Sequence, residues 1–295
     1  MVLSSLLAPK GACDSCPLKT RHLCRALMAH PDHARREPAA RLRAIKADAT
    51  IHEENERPRF AGILRKGYLR TERMLRDGRR SVMGFLAPGD MFGDAIGSIY
   101  GPALISATDA EYCAFDPTAL RRVLQEDVRL NAQFLGEATK QYTRQLEMVW
   151  RRGALNSRER IVAFMVMAAE FMPTEPLPDG SIIVTIDLSR KDWADSSNTT
   201  VETICRTLTY LTEKDMIETV SPGRYLIRNL GVLARFAGLG SLGNRSAMLQ
   251  REPLDLFAEP RSPMSDSAGP HSSRSVPATN PDSDHRFPRA APALG

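Results

Sequence analysis

Residues 188–216, LSRKDWADSSNTTVETICRTLTYLTEKDM, decide how this chain is read. Ser189 with Asp192 three residues on, and Thr199 with Glu202, have the spacing of two capping boxes. Two helix starts ten residues apart leave room for one short helix and a tight turn over Ser196 to Asn198, which is helix-turn-helix spacing. In the second helix Val201, Ile204, Leu208 and Leu211 recur at i, i+3, i+7 and i+10 and share one apolar stripe. Glu202, Cys205, Arg206 and Thr209 fall on the other side, as a helix that reads the major groove requires. Arginine donates a bidentate pair to guanine and glutamate accepts from cytosine N4. Thr200 and Val201 open that helix, and they complete the predicted DNA-facing set of Thr200, Val201, Glu202, Cys205 and Arg206, with Arg190 on the preceding helix. Met216–Val220, the turn Ser221-Pro-Gly223 and Tyr225–Arg228 predict a β-hairpin wing.

Charge does not decide the matter. The whole chain carries a net charge of +5. Residues 186–230, however, hold six Lys/Arg against seven Asp/Glu. Phosphate contacts therefore fall to particular residues: Arg190, Lys191, Arg206 and Arg224, or Arg151, Arg152, Arg158 and Arg160. The alternative is an ordinary helical hairpin with a charged face.

Upstream the texture changes twice. Residues 50–116 alternate short apolar runs with Gly62–Gly67, Asp77-Gly78 and Pro88-Gly89-Asp90, a pattern of strands and hairpins that predicts a small sandwich or jelly roll. Asp116-Pro117 then starts a helix, with a capping acid and proline at the first position. Val128, Leu135, Tyr142 and Val149 recur every seven residues, flanked by Ala132 and Leu146. Three heptads of one seam predict a long helix ending at Gly153 and packed on another helix; the alternatives are a dimer seam or a helix lying on its own sheet. A second amphipathic helix over Arg158–Phe171 turns Ile161, Phe164, Met165 and Ala168 inward, and Ile182–Ile186 reads as a short strand.

The chain has 295 residues, 42% apolar and 25% charged, which is ordinary for a two-domain soluble protein. It has no uncharged apolar run of about 18 residues, so no membrane-spanning helix is expected. The start, MVLSSLLAPKGACDSC, lacks a charged segment before its few apolar residues, so export is not expected and a cytoplasmic location is. Eight of the twenty prolines fall after position 250 in a serine-rich stretch, which reads as a disordered tail with room for a short helix around Leu254–Phe257.

Five cysteines are present: Cys13, Cys16 and Cys24 are clustered, and Cys113 and Cys205 lie far off. Clustered thiols in a reducing compartment more often bind metal than form disulfides. No nucleophile–base set, phosphate-cradling glycine loop or two-histidine metal motif is present, so an enzyme is not expected.

The string VETICR, in a chain ordered as β-roll, long helix and winged helix-turn-helix, resembles bacterial regulators of the CRP/FNR superfamily. GFLAPGD at 84–90 and GDAIGS at 93–98 resemble the FNR branch, and the likeness spans roughly residues 10–236. The resemblance implies an α+β chain: a cluster-binding arm (1–34), a cyclic-nucleotide-binding-like β-roll sensor (35–116), a dimerisation helix (117–152), a winged helix-turn-helix (153–236) and a tail (237–295). It implies that Glu202 and Arg206 read a TTGAT-like half-site, that the protein is a homodimer on palindromic double-stranded DNA, and that it activates by touching RNA polymerase, with the Gly93–Gly101 loop as a contact. Cys205 stands where FNR proteins commonly carry serine, which alters the expected outer base preference. Its oxidation would place charge toward phosphate and oppose binding.

The spacing Cys13-x2-Cys16-x7-Cys24 resembles oxygen-sensing FNR-like proteins, whose last ligand lies just before the long helix, as Cys113 does. The resemblance implies a [4Fe–4S] cluster on Cys13, Cys16, Cys24 and Cys113. Four thiolates and a 2+ core leave a net charge of about −2, which the protein must shield. Such binding closes a loop of about ninety residues and ties the arm to the sensor, so that metal binding becomes ordering energy. Loss of iron in air would then release the arm and weaken the dimer's grip. Structural zinc, free thiols and an electron-transfer role are the alternatives. A cyclic nucleotide is not expected, because GDMFGDAIGSIYGPALISAT offers Asp94 and no arginine to meet a phosphate.

Overall fold

The computed structural model describes residues 13, 15–29, 40–93 and 101–240. Expectations for the tail after 240, including the helix at Leu254–Phe257, and for Asp94 and the rest of the 94–100 loop lie outside the described residues.

Strands β1 (Ala40–Ile45) to β8 (Ala110–Phe115) form two antiparallel four-stranded sheets, ordered β1-β8-β3-β6 and β2-β7-β4-β5. Here β2 is Thr50–His52, β3 Ala61–Lys66, β4 Leu69–Met74, β5 Arg80–Leu86, β6 Met91–Gly93 and β7 Ala103–Ser106. This is the expected roll, with turns at Asp77-Gly78 and Pro88-Gly89-Asp90 as read from the sequence; Gly62, read as part of a turn, instead lies within β3, paired with Ala114 and Phe92, and the chain bends only at Gly67. At Asp77-Gly78 the Arg79 amide bonds the Asp77 carboxylate at 3.1 Å, and Gly78 takes φ +83, a left-handed value that favours glycine. Between the sheets Leu64, Leu69, Leu104 and Tyr112 are fully enclosed.

The helices depart from expectation in three places. The single helix predicted over 117–152 is two, α2 (Pro117–Glu126) and α3 (Val128–Ala154). Asp127 breaks the run: its backbone is extended, and its carboxylate accepts from the Arg129 and Leu130 amides, starting a new helix. Gly153 does not end α3, which runs on to Ala154. The chain turns at Leu155, and Asn156 and Glu159 close a reciprocal capping box on α4 (Ser157–Phe171). Third, α4 is not amphipathic: Val162, Ala163 and Val166 are buried as well as Ile161, Phe164, Met165 and Ala168, because the strand and helices that follow it in the chain surround it.

Beyond α4, β9 (Thr174–Pro176) and β10 (Ile182–Thr185) join the wing strands β11 (Ile217–Ser221) and β12 (Arg224–Ile227) in one sheet ordered β11-β12-β10-β9. Between them stand α5 (Arg190–Ser196) and α6 (Val201–Glu213), and α7 (Leu230–Phe236) follows. Trp193, Ile204, Leu211 and Tyr225 centre this core. Among the described residues no helix is long and apolar enough to cross a membrane.

Candidate nucleic-acid interface and cysteine cluster

Ser189 caps α5 as expected, its hydroxyl accepting from the Asp192 amide at 3.0 Å. The cap of α6 is shifted by one residue: Thr200, not Thr199, accepts from the Thr203 amide at 3.2 Å. The turn between the helices sets Asn198 at φ +48, and the Thr199 amide bonds back to the Ala194 carbonyl at 3.0 Å. The two helices are thus rigidly joined.

On α6 the inner stripe is Ile204, Thr207, Leu208 and Leu211. Val201, read as part of that stripe and also as DNA-facing, is 41% exposed, because it sits one turn before the core begins. With Thr200, Glu202, Cys205, Arg206 and Thr209 it forms a continuous exposed strip. The Arg206 guanidinium donates to Glu202 at 2.6 Å, both side chains being largely in solvent. Arg190 behaves differently. It donates to the Tyr225 hydroxyl, and its guanidinium lies 5.2 Å from the Trp193 ring centre and 5.5 Å from that of Tyr225. This arginine, partly buried, packs on Trp193 of its own helix and on Tyr225 of the wing.

At the start of α4 sequence reasoning named only Arg158 and Arg160, as phosphate contacts, and gave no part to Asn156 or Ser157. Asn156, Ser157 and Arg158 face Thr203, Arg206 and Thr207 across an open cavity of about 440 Å³. Arg158 stacks over Tyr210 at 4.4 Å. The Asn156 and Glu159 spacing was the available signal, because it fixes where the helix mouth opens.

The second site lies on the sensor's β1-β8-β3-β6 sheet. A chain of tight turns (Cys16 amide to Cys13 carbonyl at 3.1 Å, Lys19 amide to Cys16 carbonyl at 3.1 Å) leads into α1 (His22–Ala29). Leu23 and Leu27 of α1 bury against Ile63, Phe115, Leu120, Val123 and Leu130. Cys113 sits mid-strand on β8, opposite Leu42 of β1 and Ile63 of β3. Burial pushes the Cys24 thiol up to about 12, reinforced by the charges that Cys113, Cys16 and Cys13 would carry. Burial likewise pushes Cys113 up to about 12, with Cys13 and Cys16 adding to it. The four predicted thiols are therefore gathered within electrostatic reach of one another, and Cys205 stands exposed on α6. Among the described residues no three His, Cys, Asp or Glu side chains are placed to hold a single metal ion.

α3 carries a third feature. Val128, Leu135, Tyr142, Leu146 and Val149 are each about half exposed or more, on a face turned away from the roll. The opposite face is fixed to the roll by Arg144 to Asp90 and by Gln141 to the Met91 carbonyl at 3.0 Å.

Comparison with known proteins agrees with this architecture. Residues 42–127 match the cyclic nucleotide-binding domain family, and residues 159–236 match the Crp-like helix-turn-helix domain family. The chain is 25% identical over 223 residues to the nitrogen fixation regulation protein FixK of Bradyrhizobium diazoefficiens, covering 75% of this chain and 93% of that one. It is 22% identical over 233 residues to the transcriptional activator protein FnrL of Cereibacter sphaeroides, covering 78% and 94%. Among solved structures FixK2 from Bradyrhizobium japonicum superposes with a TM-score of 0.60 at 21% identity, covering 66% of this chain and 96% of that one.

Proposed function

The chain belongs to the CRP/FNR family of transcription regulators, and from that premise we propose that it is an oxygen-responsive, DNA-binding transcription activator. It is a regulator and not an enzyme. The observation that carries the oxygen-responsive reading is the gathering of Cys13, Cys16, Cys24 and Cys113, three from the arm and one from the sheet.

The donor set fits a [4Fe–4S] cluster. It consists of four thiols, half-buried or buried, whose charges act on one another and whose soft sulfur donors suit iron. When bound, such a cluster supplies a core that dioxygen oxidises. The rest is the work of the chain. Each thiol gives up its proton on ligating, against the burial that raises Cys24 and Cys113. Leu23 and Leu27 seat α1 on the sheet and on α2 and α3, so fastening the arm fastens it against the long helix. His22 donates toward Glu137 of α3 at 3.5 Å and extends that attachment.

The exposed apolar seam of α3 supports a homodimer, whose two α6 strips would grip a palindromic, TTGAT-like site together. Contact with RNA polymerase belongs to the same reading. The 89–108 stretch, which has no arginine, supports a sensor that does not use a cyclic nucleotide. Anaerobic purification followed by an absorption spectrum and iron and sulfide counts tests the proposal. A brown protein with about four irons per chain, bleached by air as its hold on a palindromic duplex falls, supports it. A colourless protein holding zinc contradicts it.

A further inference from the structure

A buried ionic cluster joins the sensor to the DNA-binding domain. Arg80 of β5 donates through Nε to Asp195 at 2.8 Å and through Nη2 to Asp192 at 2.9 Å, and both acids belong to α5. Arg70 of β4 lies 3.5 Å from the other oxygen of Asp192, and it also donates to Glu72 at 2.8 Å and to Asp48 at 2.8 Å. Arg70, Glu72 and Asp192 are almost wholly enclosed, at 5%, 7% and 4% side-chain exposure. Beside the cluster, Arg152 at the end of α3 donates to the Ser196 carbonyl at 3.2 Å and also to the Val82 carbonyl of β5. Arg160 donates to the Ser197 carbonyl at 2.7 Å.

Desolvating charges is expensive, so a packed apolar contact would hold two domains together at least as well. An ionic, directional contact adds orientation: a guanidinium fork donates to carboxylates in few geometries. Because α5 is tied to α6 through the buried Trp193 and the Thr199 to Ala194 bond, fixing α5 fixes α6. The clasp does not shield the reading strip, since Val201, Glu202, Cys205 and Arg206 are exposed while it is closed. It is a mounting and not a lid.

We propose that Arg70 and Arg80 are positioning residues for DNA specificity: through Asp192 and Asp195 they hold each reading helix at a fixed place on its sensor, so that the dimer accepts one half-site separation. This rests on the two-headed reading given above. Each added base pair moves one half-site by about 3.4 Å and turns it by about 35°, so a rigid mounting discriminates steeply and a loose one does not. The flanking aromatic contacts, Phe85 to Phe164 at 5.9 Å and Tyr68 to Phe171 at 6.1 Å, remain to keep the domains joined when the clasp is cut.

The test uses the full-length, anaerobically purified protein and duplexes carrying one pair of half-sites at the preferred spacing and at one or two base pairs more or fewer. Wild type should prefer its own spacing by about tenfold or more, within what simultaneous engagement supplies. Arg80→Ala and the isosteric Asp195→Asn should flatten that preference to about twofold while leaving affinity for a single half-site unchanged. The conservative Arg80→Lys, which keeps the charge beside Asp192 and Asp195, should retain it in part. Variants with a native unfolding transition that keep the wild-type spacing preference overturn the inference alone. A wild type indifferent to spacing overturns the two-headed reading and the inference with it.

Discussion

On the exposed face of α6, Arg206 lies 2.6 Å from Glu202, one turn earlier, so the two predicted base readers are partnered with each other in the free protein. Such a solvent-exposed i,i+4 pair contributes about 0.3–0.5 kcal/mol to stability at most. Both groups are therefore available for exchange onto base edges. Arg206→Ala should cost about 1–3 kcal/mol at a specific palindrome and little on random DNA, with the melting temperature unchanged. Competitive binding on the two duplexes decides this, and equal losses on both would assign Arg206 to the phosphate backbone.

The seam of α3 is exposed in a single chain, so charging it should spare the fold. Leu135→Glu should leave the unfolding transition of the isolated chain nearly unchanged. In sedimentation it should yield monomers, and palindrome affinity should fall by about a hundredfold or more. A Leu135→Glu protein that sediments as a dimer would show that α3 is not the contact.

The buried thiols set a pH response in the metal-free chain. Cys24 and Cys113 are raised to about 12 from an ordinary 9.0, so the fold binds their protons more tightly than the unfolded chain does. Their contribution is fully present below about pH 9 and is lost as pH rises toward 12. Urea unfolding of metal-free protein should show stability declining through that alkaline window, and Cys24→Ser with Cys113→Ser should flatten the decline. In the same protein at pH 8, Cys205, which is exposed, should react with iodoacetamide well before Cys24 or Cys113. Mass spectrometry after brief labelling gives the order.

Trp193 is fully buried between Phe164 and Tyr225, at ring distances of 5.4 and 6.3 Å. Trp193→Ala should destabilise the DNA-binding domain by about 3–5 kcal/mol. Because α5 carries the clasp acids, DNA binding should fall with it, as read by thermal unfolding and duplex affinity together.

Local signals made much of this legible. The caps at Ser189 and Asp116, the Asp77-Gly78 hairpin and the heptads of α3 all depend on neighbours within a few residues, and the sequence displays them; the Asn156 and Glu159 capping box was as local and was passed over. Asp127 escaped because an acid inside an apolar-periodic run looks like a solvated helix position until its carboxylate is seen to cap Arg129 and Leu130. Arg190 resembled a phosphate contact at a helix start. The wing partner it packs on, Tyr225, comes 35 residues on. The clasp was invisible for the same reason: Arg70 and Arg80 read as charges on strands, and only the packing of β5 against α5 brings Asp192 and Asp195 to them. The cysteine set was read by resemblance, and the fold's contribution is to place Cys113 on β8 within reach of the arm.

The central claim is that four thiols couple air to DNA. The most direct measurement is duplex affinity before and after air exposure, in wild type and in Cys113→Ser, with the visible spectrum followed in the same cuvette. The account predicts an anaerobic chromophore and tight, air-sensitive binding in wild type, and neither in Cys113→Ser. A Cys113→Ser protein that keeps both the colour and the air-sensitive binding would contradict it.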